Sequence, residues 1–180
     1  MSRPMYRIFD VPLVGQQTGS DGSPLMLKTK KRGLQPHGRN ACWYAAACMV
    51  SYAPRGEGRR FLVGPRPGLP EIWLKDEGLG TDADSFEALM EAEELDNIER
   101  PRPITAEFLA NLLKTRGPVM ASGFFGGGDR HAIVVTGVDG AMVFYNDPLE
   151  PAAKTMSVTV FNSRLALHYG CLLVKREGAY

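Results

Sequence analysis

At 180 residues and a formal net charge of +1, the chain is long enough to bury a core within one domain, and its charge balance points to neither nucleic acid nor an anionic membrane. Hydrophobic residues at 44% and charged residues at 23% are an ordinary globular composition. Three cysteines, Cys42, Cys48 and Cys171, cannot all pair and form no CxxC, which argues against a disulfide framework or a zinc knuckle and for reduced thiols.

The opening "MSRPMYRIFDVPLVGQQ" lacks the continuous apolar stretch of a secretory signal, and no apolar run is long enough to span a bilayer. Export, if it occurs, is expected to use a route that needs no such signal. Residues 5–14 read as a short strand whose proline suits an edge. Residues 15–40 read as loop with a strand at "LMLKT". The basic residues Lys28, Lys30, Lys31, Arg32, Arg55, Arg59 and Arg60 read as solvated surface. From Ala41 to Ala53 the alanine-rich "ACWYAAACMVSYA" reads as an apolar helix, with Asn40 as its N-cap candidate and Pro54 as its stop.

Residues 54–69 read as an irregular crossing loop, followed by a short helix over 70–77. Residues 82–95 form an amphipathic pattern carried by Phe86, Leu89, Met90 and Leu95. A second helix is predicted over 103–117, capped by Thr105 and closed by Lys114, Arg116 and Gly117. The period then changes. Segments 118–125, 131–138, 141–147, 155–160 and 170–176 are rich in β-branched and aromatic residues and read as strands. Helices followed by a mostly antiparallel sheet make an α+β pattern.

Cys42 alone is ambiguous, because free cysteine is commonly a small buried hydrophobe. Its place in the first turn of the predicted helix separates it from mid-helix Cys48 and from Cys171 in an apolar strand, both of which read as core. Unpaired N–H groups and the helix dipole favour an anion there, and the thiolate is the nucleophilic form. Such a nucleophile needs a base and the base an orienter. His168 reads as a turn residue and His37 as a loop residue, whereas His131 opens a hydrophobic strand. The next strand ends at Asn146-Asp147-Pro148. A two-residue Asp139-Gly140 turn would set His131 opposite position 148 and turn Asp147 to the other side, whereas a three-residue loop at Val138-Asp139-Gly140, with Gly140 left-handed, sets His131 directly opposite Asp147. Oxyanion donors are also required; the N–H of Cys42 and the side-chain amide of loop residue Gln35 are the candidates.

Gln35, "NACWYAAACM" opening a helix, "RHAIVVTGV" and "YNDP" closing the next strand together resemble a papain-like cysteine protease. The resemblance is closest to the compact bacterial group that acts as secreted effectors or toxin domains, and runs from about residue 33 to about residue 166. It implies Cys42 as nucleophile, His131 as general base and acid, Asp147 as orienter and Gln35 as oxyanion donor. Relatives place the glutamine about six residues before the cysteine, whereas here the spacing is seven, which keeps Asn40 and His37 as alternatives. The implied architecture is a single papain-like domain over 1–180. A helical lobe at about 33–117 would carry the nucleophile, and a sheet lobe at about 118–176 would carry the histidine. The cleft would lie between the lobes, with "FFGGG" as a mobile rim.

On this reading the protein is a cysteine endopeptidase that needs no metal or organic cofactor, with a protein or peptide substrate and no nucleic-acid or membrane partner. Export from a bacterium by a specialised secretion system, action in a target-cell cytoplasm and a cognate immunity or inhibitor protein complete the expectation. The alternatives are another cysteine-dependent acyl-transfer enzyme (a cell-wall peptide amidase, a deamidase or a transglutaminase-like enzyme) and a catalytically silent binding module.

Overall fold

The computed structural model describes residues 5–7, 11, 13–16, 26–29, 33–36, 42–52, 83–99, 103–126, 129–150 and 152–178. The loop expected over 54–69, the helix over 70–77 and the candidates His37 and Asn40 lie outside these residues.

An antiparallel meander organises the second half of the chain. It comprises β5 (Val119–Gly126), β6 (Asp129–Asp139), β7 (Met142–Asp147) and β8 (Ala152–Ser157). β9 (Leu172–Lys175) joins on the outer side of β5, and β4 (Leu95–Asn97) pairs with β9 at that edge. β1 (Met5–Arg7) pairs with the end of β6, from Gly137 to Asp139, continuing the side that β5 occupies along the earlier part of the strand. Gly137 allows this approach, since a Cβ there would stand 2.7 Å from the Arg7 Cγ and 3.0 Å from the Tyr6 carbonyl. β2 (Met26–Thr29) and β3 (Gly33–Pro36) form a separate two-stranded ladder. The architecture is α+β with a mostly antiparallel sheet.

Among the described residues, four helices pack with the strands into two apolar clusters. Helix α1 (Cys42–Tyr52) and helix α2 (Ala83–Glu93) share one cluster with Met120, Ala132, Val134 and Leu173. Helix α3 (Ala106–Arg116) and helix α4 (Val158–Arg164) share the other with Ala121, Ile133, Val135, Tyr145 and Leu172. Strand alternation explains the division, because neighbours along β6 point to opposite faces of the sheet. Ala45, Ala46 and Ala47 of α1 are all buried, and α1 packs chiefly on β6. Small side chains let that helix press closely on the strand. Among the described residues, no helix is long and apolar enough to cross a membrane.

Helix α3 matches its expectation closely. The Thr105 hydroxyl accepts the Phe108 N–H at 3.1 Å, and Gly117, at φ 84°, closes the last turn on the Leu113 carbonyl. Elsewhere the sequence reading needs correction. Among the described residues the first strand covers Met5–Arg7, and Val11 and Val14 are buried outside regular structure. Helix α2 stops at Glu93 because Glu94 adopts φ 53°, which frees Leu95 to begin the missed strand β4. The strand expected over 155–160 ends at Ser157, whose hydroxyl accepts the Val160 N–H and starts α4. β-branched Val158, Thr159 and Val160 suggest a strand, but the serine cap and burial of Phe161 against Phe125 favour a helical turn.

Candidate active site

Cys42 is the first residue of α1 and is half-buried, whereas Cys48 and Cys171 are both buried in the core. These are the placements expected for all three. Helix α1 is enclosed around Cys48, since Ala45 to Val50 are every one buried.

His131 lies near the start of β6, where Gly123 of β5 pairs with it. Its Nε2 stands 2.7 Å from Asp147 Oδ1, with both side chains below a tenth exposed. The Cys42 side chain interacts favourably with the protonated form of the same imidazole. With Nε2 committed to Asp147, Nδ1 is the ring nitrogen left for the thiol. Burial works to lower the His131 pKa. The hydrogen bond to Asp147 and the interaction with Cys42, together with their charges, overcome it and raise the value from 6.5 to about 9. The imidazolium form is therefore favoured at neutral pH.

Asp147 ends β7 at a turn. Its Oδ1 also accepts the Leu149 N–H at 2.9 Å, an Asx turn that fixes the carboxylate relative to its own backbone. Its Oδ2 accepts from Lys154 Nζ at 2.8 Å. Burial pushes this carboxyl up, but His131, Lys154 and the Leu149 N–H outweigh it and hold its pKa down at about 2. Asp147 is therefore an anion throughout the physiological range, and the pair is a carboxylate beside an imidazolium.

His131 and Asp147 meet, but not in the expected register. The turn is Gly140-Ala141, with Asp139 opposite Met142 and Gly140 at φ 59°. Further along, Val135 opposes Tyr145 and Val134 opposes Asn146. Direct opposition of His131 and Asp147 would have required Val134 against Phe144, so the real ladder is displaced by two residues. A displacement of two keeps every side chain on its face, and a diagonal pair remains within reach of side chains this long.

Neighbouring groups hold the end of β7 in place. The Asn146 amide donates to the Val11 carbonyl at 3.3 Å and approaches the Met49 sulfur of α1 at 3.7 Å. The Gln16 N–H donates to the Pro148 carbonyl at 2.9 Å. The helix that carries Cys42 and the strand that carries Asp147 are thus joined one residue away from the carboxylate. Sequence reasoning missed Asn146, Gln16 and Lys154. Of these, Lys154 left a signal, since it falls two residues before buried Met156 on an alternating strand.

Gln35 is not on a loop as expected. It sits on β3, paired with Leu27, because "GLQP" finds a partner in "MLKT" across a short connection. Of the segment Phe124–Gly128, the first three residues complete β5; Phe124 is exposed and Phe125 buried. His168 lies in the turn before β9, its ring 5.0 Å from that of Phe86 and its Nδ1 2.6 Å from the Tyr169 carbonyl, apart from the Cys42–His131–Asp147 group.

Residues 27–166 match the family described as papain-like cysteine protease AvrRpt2. A comparison with curated proteins found no match. The match spans well over half of the chain, which therefore belongs to this family and is a papain-like cysteine peptidase.

Proposed function

We propose that this member of the papain-like cysteine protease family cleaves proteins internally, through a triad of Cys42, His131 and Asp147. The observation that carries the reading is the position of His131, hydrogen-bonded at 2.7 Å to the buried anionic Asp147 carboxylate and electrostatically coupled to Cys42. In the proposed cycle the Cys42 sulfur attacks the scissile carbonyl, and the His131 imidazolium gives its proton to the leaving amine. Water then loses a proton to His131 as it attacks the thioester, releasing the acid and returning the Cys42 sulfur to its place beside the imidazolium. The Cys42 N–H and the Gln35 amide are proposed to stabilise the oxyanion. The two-lobed arrangement, with the cleft between a helical and a sheet lobe, belongs to the same proposal.

The test compares the new N-termini produced in a whole proteome by wild type and by Cys42→Ala. Termini present only with wild type are expected. An identical set from both proteins would overturn the reading, and turnover confined to cell-wall peptides would replace it with an amidase. The proposal extends to a bacterial effector or toxin acting in a target-cell cytoplasm, with a cognate inhibitor made by the producer. Co-purification with a small neighbouring-gene product supports that extension, whereas unimpaired growth of target cells that express the active form counts against it.

A further inference from the structure

Along β8 the exposed residues Ala153 and Thr155 alternate with Ala152, Lys154 and Met156, which turn inward. Lys154 thus occupies the face whose next member, Met156, is buried in the apolar cluster, a position at which strand patterning calls for a hydrophobic residue. An ammonium placed there requires a compensating group. It has two, Asp147 Oδ2 at 2.8 Å and Glu150 Oε2 at 2.9 Å. The β7–β8 ladder sets this geometry. Asp147 opposes Ala152 and Tyr145 opposes Lys154, so the lysine reaches the carboxylate diagonally across one face.

We propose that Lys154 is a positioning residue for the proposed triad. Its ammonium occupies Oδ2 of Asp147, so that the carboxylate presents Oδ1 to His131 and keeps its charge in acid. The inference rests on the Cys42–His131–Asp147 reading. Three elements then fix one carboxylate: β6 through His131, the following turn through the Leu149 N–H, and β8 through Lys154. Glu150, itself largely exposed, anchors the lysine from the other side. Among the described residues, the titratable groups that interact with Asp147, His131 or Lys154, besides these three themselves, are Cys42, Tyr145 and Glu150. Of all these groups only Lys154 and His131 bond the Asp147 side chain through their own side chains.

The experiment measures the rate of Cys42 alkylation by iodoacetamide against pH, which needs no knowledge of the substrate. Without Lys154 the Asp147 carboxyl takes up its proton at higher pH, and a neutral Asp147 no longer supports the His131 imidazolium beside Cys42. Lys154→Met is therefore expected to move the acid limb upward by about one pH unit. Lys154→Arg, which keeps a cation at the same place, is expected to restore the limb, and Lys154→Gln to behave as the methionine does. In an Asp147→Asn background Lys154→Met should change nothing. An acid limb in Lys154→Met that coincides with wild type overturns the proposal, as does an equal shift in the Asp147→Asn background. A His131→Ala protein that alkylates with the wild-type profile would instead refute the underlying site reading.

Discussion

Replacing Asp147 with asparagine keeps the side chain's size and removes its charge. The consequence is legible in His131. Its pKa rises from 6.5 to about 9 although burial alone would lower it. At about 1.36 kcal/mol per unit, that lift corresponds to on the order of 3 kcal/mol of preferential stabilisation of the imidazolium. Asp147 and Cys42 supply it together, so loss of the carboxylate should lower the midpoint by at least about one unit, with burial then less opposed. The direction for stability follows from linkage. The folded-state pKa lies above the unfolded one, so the stabilisation is complete below pH 6.5 and disappears as the pH rises through about 9. Titration of the His131 ring by NMR, followed from neutral into alkaline solution, reads the effect in wild type and in Asp147→Asn. The alkaline limb of activity should fall in parallel. A ring midpoint in Asp147→Asn that coincides with wild type would refute the claim that this carboxylate sustains the imidazolium.

Gly123→Ala should cost at least about 2 kcal/mol in urea unfolding, because the added Cβ would meet only backbone, including the Arg164 carbonyl at 2.2 Å. Since Gly123 pairs with His131, the same variant should also lose activity. Asn162→Ala should destabilise by roughly 2 kcal/mol, because its amide satisfies both the N–H and the carbonyl of buried Ile104, each at 2.8 Å. Peptide mapping after brief iodoacetamide treatment should find Cys42 modified in the native protein, with Cys48 and Cys171 modified only after denaturant.

Much of this site was legible before the fold, and the limits have physical causes. Cys42 stands out because a helix start is marked by composition, and Cys48 is separated from it by the helical period. Helix α3 carries its own cap and stop in Thr105 and Gly117, so local chemistry defines both ends. Strand β4 was not legible. Its three residues gain strand structure from pairing with β9, some 80 positions later, and no local pattern announces that partner. Gln16 and Asn146 were hidden for the same reason, since each matters through a contact distant in sequence. The Ser157 cap was readable, but the β-branched run beside it carried the stronger strand signal.

The His131–Asp147 encounter shows how a register can be misplaced and still bring the right groups together. The sequence argument places one extra residue in the hairpin loop. In the structure the turn has two residues, Gly140 and Ala141, and the extra residue lies within β6 at Thr136, between Val135 and Gly137. Carried on unchanged from the turn, the register of Asp139 with Met142 would set Asp147 opposite Val134. Val134 belongs to the apolar cluster built on α1, on the face that His131 does not share by alternation. The bulge shifts the ladder by one, which sends Asn146 to the Val134 face and Asp147 to the other. Two independent contacts agree with this assignment: Asn146 meets Met49 of α1, and Asp147 meets His131. Looping out Thr136 therefore decides which of two adjacent polar residues becomes the partner of the imidazole. Deleting that single residue should remove the bulge and leave Val135 opposite Tyr145 and Val134 opposite Asn146, so that Asp147 stays on the His131 face. Retention of the raised His131 titration in a protein that keeps its sheet by circular dichroism is the expected result. Loss of the wild-type midpoint would show that the looped-out residue itself, rather than the register it sets, sustains the pairing.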